Sequence, residues 1–279
     1  MTFSLVGRCE RTGAVGAVIA SASMAVAARC AAVEAGVGAV CSQSTTDPRL
    51  RAELLDLMGA GATAGEALAA VIERAPDIAY RQLAVADAAG GAASYSGQQA
   101  LGSAASISGT GAAAAGNLLA DNRVPAAMLG AFSERAGDEL GDRLIGALQA
   151  GLAAGGEVSP VRSAGMLIAQ AEPWPVTDLR VDWHVGPVAE LAALWQRWQP
   201  QVDTYIGLAL RPAELARLCA ARWATCGSPI SHCTASWPPR PTAPGCSGPP
   251  LRRRQTSCHL YRPEGRRQHH EPVHRVRGL

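Results

Sequence analysis

The sequence predicts an α+β fold in which two antiparallel sheets are stacked between two layers of helices, a four-layer helix–sheet–sheet–helix sandwich. The first observation is the order of elements, because groups of strands are separated by pairs of helices without the regular strand–helix alternation of parallel sheets. The second is composition: 48% of the 279 residues are apolar but only 4% are aromatic, so small side chains must let layers approach closely. We expect one domain over residues 1–210.

Two apolar runs at the start of the chain predict a β-hairpin. Residues 2–8 form the first strand, residues 11–13 supply a turn with glycine, and residues 14–20 form a second, uncharged run. A strand that begins at residue 2 leaves no room for a tail. A small second residue such as threonine normally permits removal of Met1, and we then expect Thr2 to carry a free α-amine on a rigid strand.

The next third of the chain predicts a strand and a helix pair. Residues 36–43 are a buried strand, while residues 24–34 are ambiguous between helix and irregular chain. The pair Asp47-Pro48 is typical of a helix start. A capping box of Thr63 and Glu66 then begins the second helix.

The remaining elements follow from alternation and helical spacing. The predicted strands are residues 80–87, 92–97, 104–108, 163–169 and 176–182, with residues 113–119 as strand or loop. The predicted helices are residues 124–136, 138–154, one that begins at Pro187, and another over residues 202–218.

The last 61 residues differ from the body in composition. Residues 219–279 are rich in arginine, proline and cysteine and hold almost no aliphatic run, whereas acidic residues outnumber arginines before them. Such a basic segment buries too little apolar surface to fold, so disorder is expected, whether the segment is native or derives from a shifted reading frame. Its cysteines and histidines have no standard zinc spacing, and we expect neither a metal nor a nucleic-acid partner.

Composition also excludes several classes of protein. No uninterrupted apolar run is long enough to span a membrane, and Arg8 interrupts the first run before it reaches the length of a secretory signal. Cys9, Cys30 and Cys41 are an odd set without metal spacing, which favours reduced thiols and a cytoplasmic location. No phosphate-binding loop is present, and no cofactor is expected.

Five segments in order carry a resemblance to a known family. They are residues 2–8, 35–43, 80–85, 116–119 and 162–165, with residues 176–182 after them. Together they resemble an uncharacterised Ntn-hydrolase-like family, domain of unknown function 1028, over residues 2 to about 210. The resemblance implies the four-layer fold and descent from amide-bond hydrolases, but no particular substrate.

The resemblance places the catalytic nucleophile at Thr2. An N-terminal threonine combines a hydroxyl nucleophile with its own α-amine as base. Related threonine hydrolases often add an aspartate after the second strand and a lysine, whereas Ser21 follows that strand here and the chain contains no lysine. We expect Arg29 or Arg81 to supply positive charge and to contact the substrate, although an arginine cannot act as a base.

Two amides complete the candidate site. Asn117 is a candidate donor to a tetrahedral oxyanion, with a turn-forming asparagine as the alternative. Gln43 is a candidate for orienting a substrate amide, with a hydrogen-bonded core glutamine as the alternative.

Two functions remain open from the sequence. The first is an N-terminal-nucleophile hydrolase that cleaves a small amide or peptide-like bond through Thr2. The second is a non-catalytic protein of the same fold that binds a small molecule or serves as a subunit of a homo-oligomer. The threonine at position 2 favours the first, and the missing aspartate and lysine favour the second.

Overall fold

The computed structural model describes residues 2–213, so the predictions made for residues 219–279 lie outside the described part. The strands are β1 (Thr2–Arg8), β2 (Val15–Ser21), β3 (Ala31–Glu34), β4 (Gly38–Ser44), β5 (Arg81–Asp87), β6 (Ala92–Ser96), β7 (Ala105–Gly109), β8 (Ala112–Asn117), β9 (Ser163–Ala169) and β10 (Thr177–Val181). The α-helices are α1 (Val26–Cys30), α2 (Arg49–Gly59), α3 (Ala64–Arg74), α4 (Val124–Glu134), α5 (Leu140–Ala153), α6 (Pro187–Trp198) and α7 (Val202–Leu210).

The strands form two antiparallel sheets. The six-stranded sheet has the order β10-β9-β2-β1-β8-β7, and the four-stranded sheet has the order β3-β4-β5-β6. β1 is central in the larger sheet, with Phe3 opposite Ala20 on one side and Thr2 opposite Asn117 on the other. The predicted α+β class with antiparallel sheets is confirmed.

Three apolar cores follow from the alternation of side chains along the strands. On one face of the six-stranded sheet, Phe3 and Leu5 pack with residues of α4, α5 and α6, such as Phe132. On its other face, Val6 and Ile19 pack with side chains of the four-stranded sheet. The third core joins the outer face of the four-stranded sheet to α2 and α3 and contains these buried residues: Val40, Leu50, Leu54, Leu55, Met58, Ala64, Ala67, Leu68, Val71, Leu83 and Val85.

Local signals set the ends of the first helix pair. The Asp47 carboxylate accepts the Arg49 N–H at 3.1 Å, which satisfies one of the unpaired donors at the start of α2. The capping box of Thr63 and Glu66 forms at the start of α3 as predicted. The ambiguous residues 24–34 become the short helix α1 followed by the strand β3.

Small residues allow the close approach of sheet and helix that the composition predicts. A Cβ atom on Gly38 of β4 would lie 2.5 Å from the Ala86 carbonyl oxygen and 2.8 Å from Met58 Cε. The carbonyl oxygen belongs to the paired strand and cannot move away without disturbing the sheet. A side chain at position 38 is therefore incompatible with this packing.

This packing makes a stability prediction. We expect Gly38→Ala to lower the free energy of unfolding by about 1–3 kcal/mol, because the added methyl group overpacks the core. The matched control is Gly130→Ala within α4, where a Cβ atom meets nothing within 4 Å. This control should raise stability by about 0.5–1 kcal/mol through the helix preference of alanine. Urea unfolding followed by circular dichroism measures both, and equal stabilities of the two variants would contradict the packing.

Candidate functional site

One end of the layer between the two sheets is polar. On the inter-sheet face of β1, Val6 is followed towards the amino terminus by Ser4 and Thr2, because residues two apart share a face. The neighbouring strands also change from apolar to polar side chains towards this end. The buried polar residues found there are Thr2, Ser4, Ser21, Gln43, Gln82, Asn117 and Ser163. A buried polar group costs free energy unless it is hydrogen-bonded, so such a cluster points to a function.

Thr2 lies within this polar end on a rigid support. The residue is 5% exposed, and β1 is paired with β2 and β8 on its two sides. Thr2 Oγ1 donates a hydrogen bond to Ser21 Oγ at 3.4 Å. The hydroxyl group is therefore held in a defined place among polar neighbours.

A chain of hydroxyl groups links Thr2 to Arg29. Arg29 Nη2 donates to Ser23 Oγ at 2.8 Å, and Ser23 Oγ lies 2.8 Å from Ser21 Oγ. The guanidinium group is thus two hydroxyl groups away from Thr2 Oγ1. Its permanent positive charge favours negative charge along this chain, although its exposure to solvent weakens the effect.

Gln82 is the centre of a buried hydrogen-bond network across the two sheets. Its Nε2 donates to the carbonyl oxygens of Gly116 at 2.8 Å and Ala105 at 3.2 Å, so its Oε1 must face the other way. Gln82 Oε1 accepts from Gln43 Nε2 at 2.8 Å, and Gln43 Oε1 accepts from Ser4 at 2.7 Å. The network therefore fixes the orientation of both glutamine amides.

The same network orients Asn117. Asn117 Nδ2 donates to Gln82 Oε1 at 3.2 Å, because that oxygen is an acceptor. Asn117 Oδ1 is consequently turned away from Gln82, and it is buried without a hydrogen-bond partner among residues 2–213. At the position opposite Thr2, the side chain of Asn117 thus offers an unpaired acceptor and one remaining Nδ2 hydrogen.

Glu157 adds a buried carboxyl group to this end of the sheets. It follows α5 and pairs in an isolated β-bridge with Leu119, two residues beyond Asn117. The residue is 6% exposed, and within residues 2–213 only the Ala22 N–H comes near its carboxyl oxygens, without forming a hydrogen bond of good geometry. A carboxyl group in such surroundings is costly to ionise.

Burial accordingly raises the pKa of Glu157 to about 7. The positive charge of the amino terminus opposes this rise, and so does the nearby Ala22 N–H. Glu157 therefore exchanges a proton close to neutral pH, which is a property frequently found at functional sites.

Comparison with known proteins adds the family to this geometry. A family described as "Family of unknown function (DUF1028)" matches residues 2–191. The chain belongs to the DUF1028 family. Among solved structures, the crystal structure of protein SPO2555 from Silicibacter pomeroyi, described with the same family, is similar at 31% sequence identity and a TM-score of 0.65. The similarity covers 70% of this chain and 84% of that chain, and no curated protein matches.

The predicted site residues of this DUF1028 chain fall into two groups. Thr2, Asn117 and Gln43 are brought together at the polar end, and Gln43 is a fully hydrogen-bonded member of its network. Arg29 reaches this group through Ser21 and Ser23. Arg81 instead donates to the Thr45 carbonyl oxygen beyond the end of β4, and its Nε is buried without a partner.

Gln82 and Glu157 are important members of the polar end that were not predicted from the sequence. Gln82 shares one face of β5 with the buried residues Ala84 and Ala86. A polar residue on this buried face is the sequence pattern that could have identified it. Glu157 follows two glycines in a connecting segment, where an acidic residue is usually exposed. Nothing in its sequence surroundings indicates burial.

Other classes of site have less support within residues 2–213. No group of three or more potential metal ligands is arranged to hold a metal ion in this part of the chain. No helix of the described residues is long and apolar enough to cross a membrane. A cavity of about 300 Å³, lined by Thr12, Glu139 and Trp195 among others, lies near the β1–β2 turn, at the end of β1 away from Thr2.

The raised pKa of Glu157 makes a prediction about stability in the chain that retains Met1. Between pH 4.5 and about 7 the folded protein holds a proton that the unfolded chain has lost, so stability falls as the pH rises through this window. The expected loss from this one group is on the order of 2–3 kcal/mol. Glu157→Gln cannot ionise and should lack this component, which urea unfolding between pH 4.5 and 8 measures.

The control for this prediction is Glu73→Gln, which changes an exposed residue of α3. Glu73→Gln should follow the pH dependence of the unmodified protein. An inhibitor of methionine aminopeptidase keeps Met1 in place, and intact mass verifies it. If Glu157→Gln shows the same pH dependence as this control, the carboxyl group is not held in its protonated form.

Proposed function

We propose that this DUF1028 chain has the four-layer architecture of the Ntn hydrolases. The support is the order of its three apolar cores. The first lies between the six-stranded sheet and α4, α5 and α6, and the second lies between the two sheets. The third lies between the four-stranded sheet and α2 and α3. In such an arrangement a nucleophile at the start of a central strand lies at one end of the space between the sheets. Thr2 occupies this position.

On this basis we propose a hydrolase that cleaves a small amide or peptide-like bond through Thr2. The observation that carries the proposal is that the Thr2 hydroxyl, the unpaired oxygen of Asn117 and the buried carboxyl group of Glu157 meet at one polar end of an otherwise apolar layer. Buried acceptors without partners are uncommon in a region that serves packing alone. They fit a site that is completed by another group.

The reaction would proceed in two steps once Met1 has been removed. Thr2 Oγ1 attacks the carbonyl carbon of the substrate while its proton passes to the Thr2 α-amine. The C–N bond then breaks, the amine product leaves with that proton, and an ester on Thr2 remains. Water, deprotonated by the same α-amine, attacks the ester, and the acid product leaves as Thr2 regains its proton. The remaining Asn117 Nδ2 hydrogen is a candidate donor to the oxyanion in both steps.

A non-catalytic protein of the same fold is the second candidate. Ser21 stands where related threonine hydrolases often have an aspartate, the chain has no lysine, and Thr2 is only 5% exposed. Under this alternative the polar end binds a small molecule or stabilises a subunit. The two candidates differ in whether turnover depends on the Thr2 hydroxyl.

Substitution of Thr2 tests the hydrolase. We expect Thr2→Ala to lower kcat on the order of 10⁴-fold or more, because the nucleophile is removed. Thr2→Ser keeps a hydroxyl group and should retain measurable turnover. A panel of short N-acyl and aminoacyl p-nitroanilides, assayed with protein whose intact mass shows loss of Met1, provides the measurement.

The control is Thr12→Ala, which removes a hydroxyl group in the β1–β2 turn at the other end of the hairpin. Thr12→Ala should have unchanged kcat and KM. Turnover that survives in Thr2→Ala with a native circular dichroism spectrum would exclude Thr2 as the nucleophile. The absence of turnover in all four proteins would favour the binding protein.

A further inference from the structure

Three buried oxygen atoms near Thr2 can accept hydrogen bonds, but none of them has a well-aligned donor within the described part of the chain. They are Asn117 Oδ1 and the two carboxyl oxygens of Glu157. Asn117 is the register partner of Thr2, and Glu157 pairs with Leu119 immediately beyond it. Gly156, which precedes Glu157, packs against Phe3, so the segment that carries the carboxyl group lies beside the first residues of β1. The acceptors therefore lie around the amino-terminal end of that strand.

The nearby cationic side chains are committed elsewhere. Arg29 donates to Ser23 Oγ and the Met24 carbonyl oxygen. Arg123 forms an ion pair at 2.6 Å with Asp121, a residue that lies beside Gly155. The sequence contains no lysine. Arg162, whose backbone N–H donates to the Ser21 carbonyl oxygen, has its guanidinium group over the Trp183 ring. None of these side chains donates to the three oxygens.

An ammonium group at the start of β1 matches these acceptors in charge and in number of hydrogens. We propose that Glu157, assisted by Asn117 Oδ1, is the positioning residue for the α-amine of Thr2 in the processed chain. The inference rests on the proposed function, since a base that takes the proton of Thr2 Oγ1 must be held in a fixed orientation.

Two opposing effects act on the pKa values of Glu157 and the α-amine. Burial alone lowers the pKa of an amine and raises the pKa of a carboxyl group, and their mutual attraction opposes both changes. In the chain that retains Met1, the groups that act on Glu157 are the amino terminus and the Ala22 N–H, while Arg29 binds Ser23 and Asp121 binds Arg123. The pair can then share a proton near neutral pH, where a general base is most effective.

The missing lysine supplies a direct experiment. Because the chain has no lysine, the α-amine is its sole primary amine, and an acyl group that resists hydroxylamine, which removes acyl groups from thiols, phenols and imidazoles, reports on this amine. The full-length chain is produced behind a leader that a protease removes directly before Thr2, and intact mass confirms the new terminus. The rate of acylation by acetic anhydride as a function of pH gives the pKa of the α-amine without any substrate.

We expect Glu157→Gln to lower the pKa of this amine by about 1 unit or more, a tenfold or greater loss of proton affinity, because the opposite charge is lost. Glu157→Asp keeps the charge and should shift the pKa less. The exposed control Glu73→Gln should leave it unchanged. An unchanged pKa in Glu157→Gln, or equal shifts in the Gln and Asp variants, would overturn the proposal.

This measurement separates the inference from the proposed function. Titration of the amine needs no turnover. If Glu157→Gln shifts the pKa of the amine but Thr2→Ala leaves activity intact, the positioning role of Glu157 is supported and the proposed hydrolase mechanism is excluded. Conversely, if Thr2→Ala abolishes turnover while Glu157→Gln leaves the pKa of the amine unchanged, Thr2 is supported as the nucleophile and the positioning role of Glu157 is excluded. A structural role of Glu157 alone would change the stability of the variant but not the pKa of the amine in the folded protein.

Discussion

The pairing of β1 between β2 and β8 is the constraint on which the rest of the structure depends. Because side chains alternate along this strand, one set enters the core beneath α4, α5 and α6, while the other enters the space between the sheets. A shift of one residue in register would exchange the two sets, placing Phe3 among small side chains and Thr2 in an apolar core. The pairing on both sides thus determines both the packing of the domain and the place of its first hydroxyl group.

Small side chains in the layer between the sheets allow the polar network to reach from one sheet to the other. The side chains of Ala39, Ala84, Ala86, Ala113 and Ala115 bring the sheets close together, so longer polar side chains can span the gap where the alanines end. Gln82 does so, since its amide binds backbone oxygens near β8 and its own oxygen receives two amide donors. A network of this kind is costly unless nearly every member is paired. The unpaired oxygens of Asn117 and Glu157 therefore differ from the glutamine amides beside them, which are hydrogen-bonded.

The chemistry of this end has to be built without lysine. Arginine brings charge but no base, and Arg29 acts on Thr2 through serine hydroxyls. The titrating groups that remain are a carboxyl group with a pKa raised by burial and the amine that removal of Met1 would create. A general base is most effective when its pKa lies near the working pH, so under the proposed hydrolase mechanism these two groups are the ones to examine. Membership of the DUF1028 family leaves the substrate open.

The sequence by itself determined the elements and their class, because alternation, capping residues and glycine turns are local properties. The strand at Thr2, the helix start at Asp47 and the capping box at Thr63 needed only neighbouring residues for their prediction. The tertiary structure decided which distant residues meet. Glu157 lies far from Thr2 in sequence, and its raised pKa arises from burial in the folded chain, where its segment pairs with Leu119. Contacts between strands also directed Asn117 Nδ2 to Gln82, which leaves Asn117 Oδ1 unpaired among the described residues, and directed Arg81 to Thr45, because hydrogen-bond partners across strands are set by register rather than by local sequence.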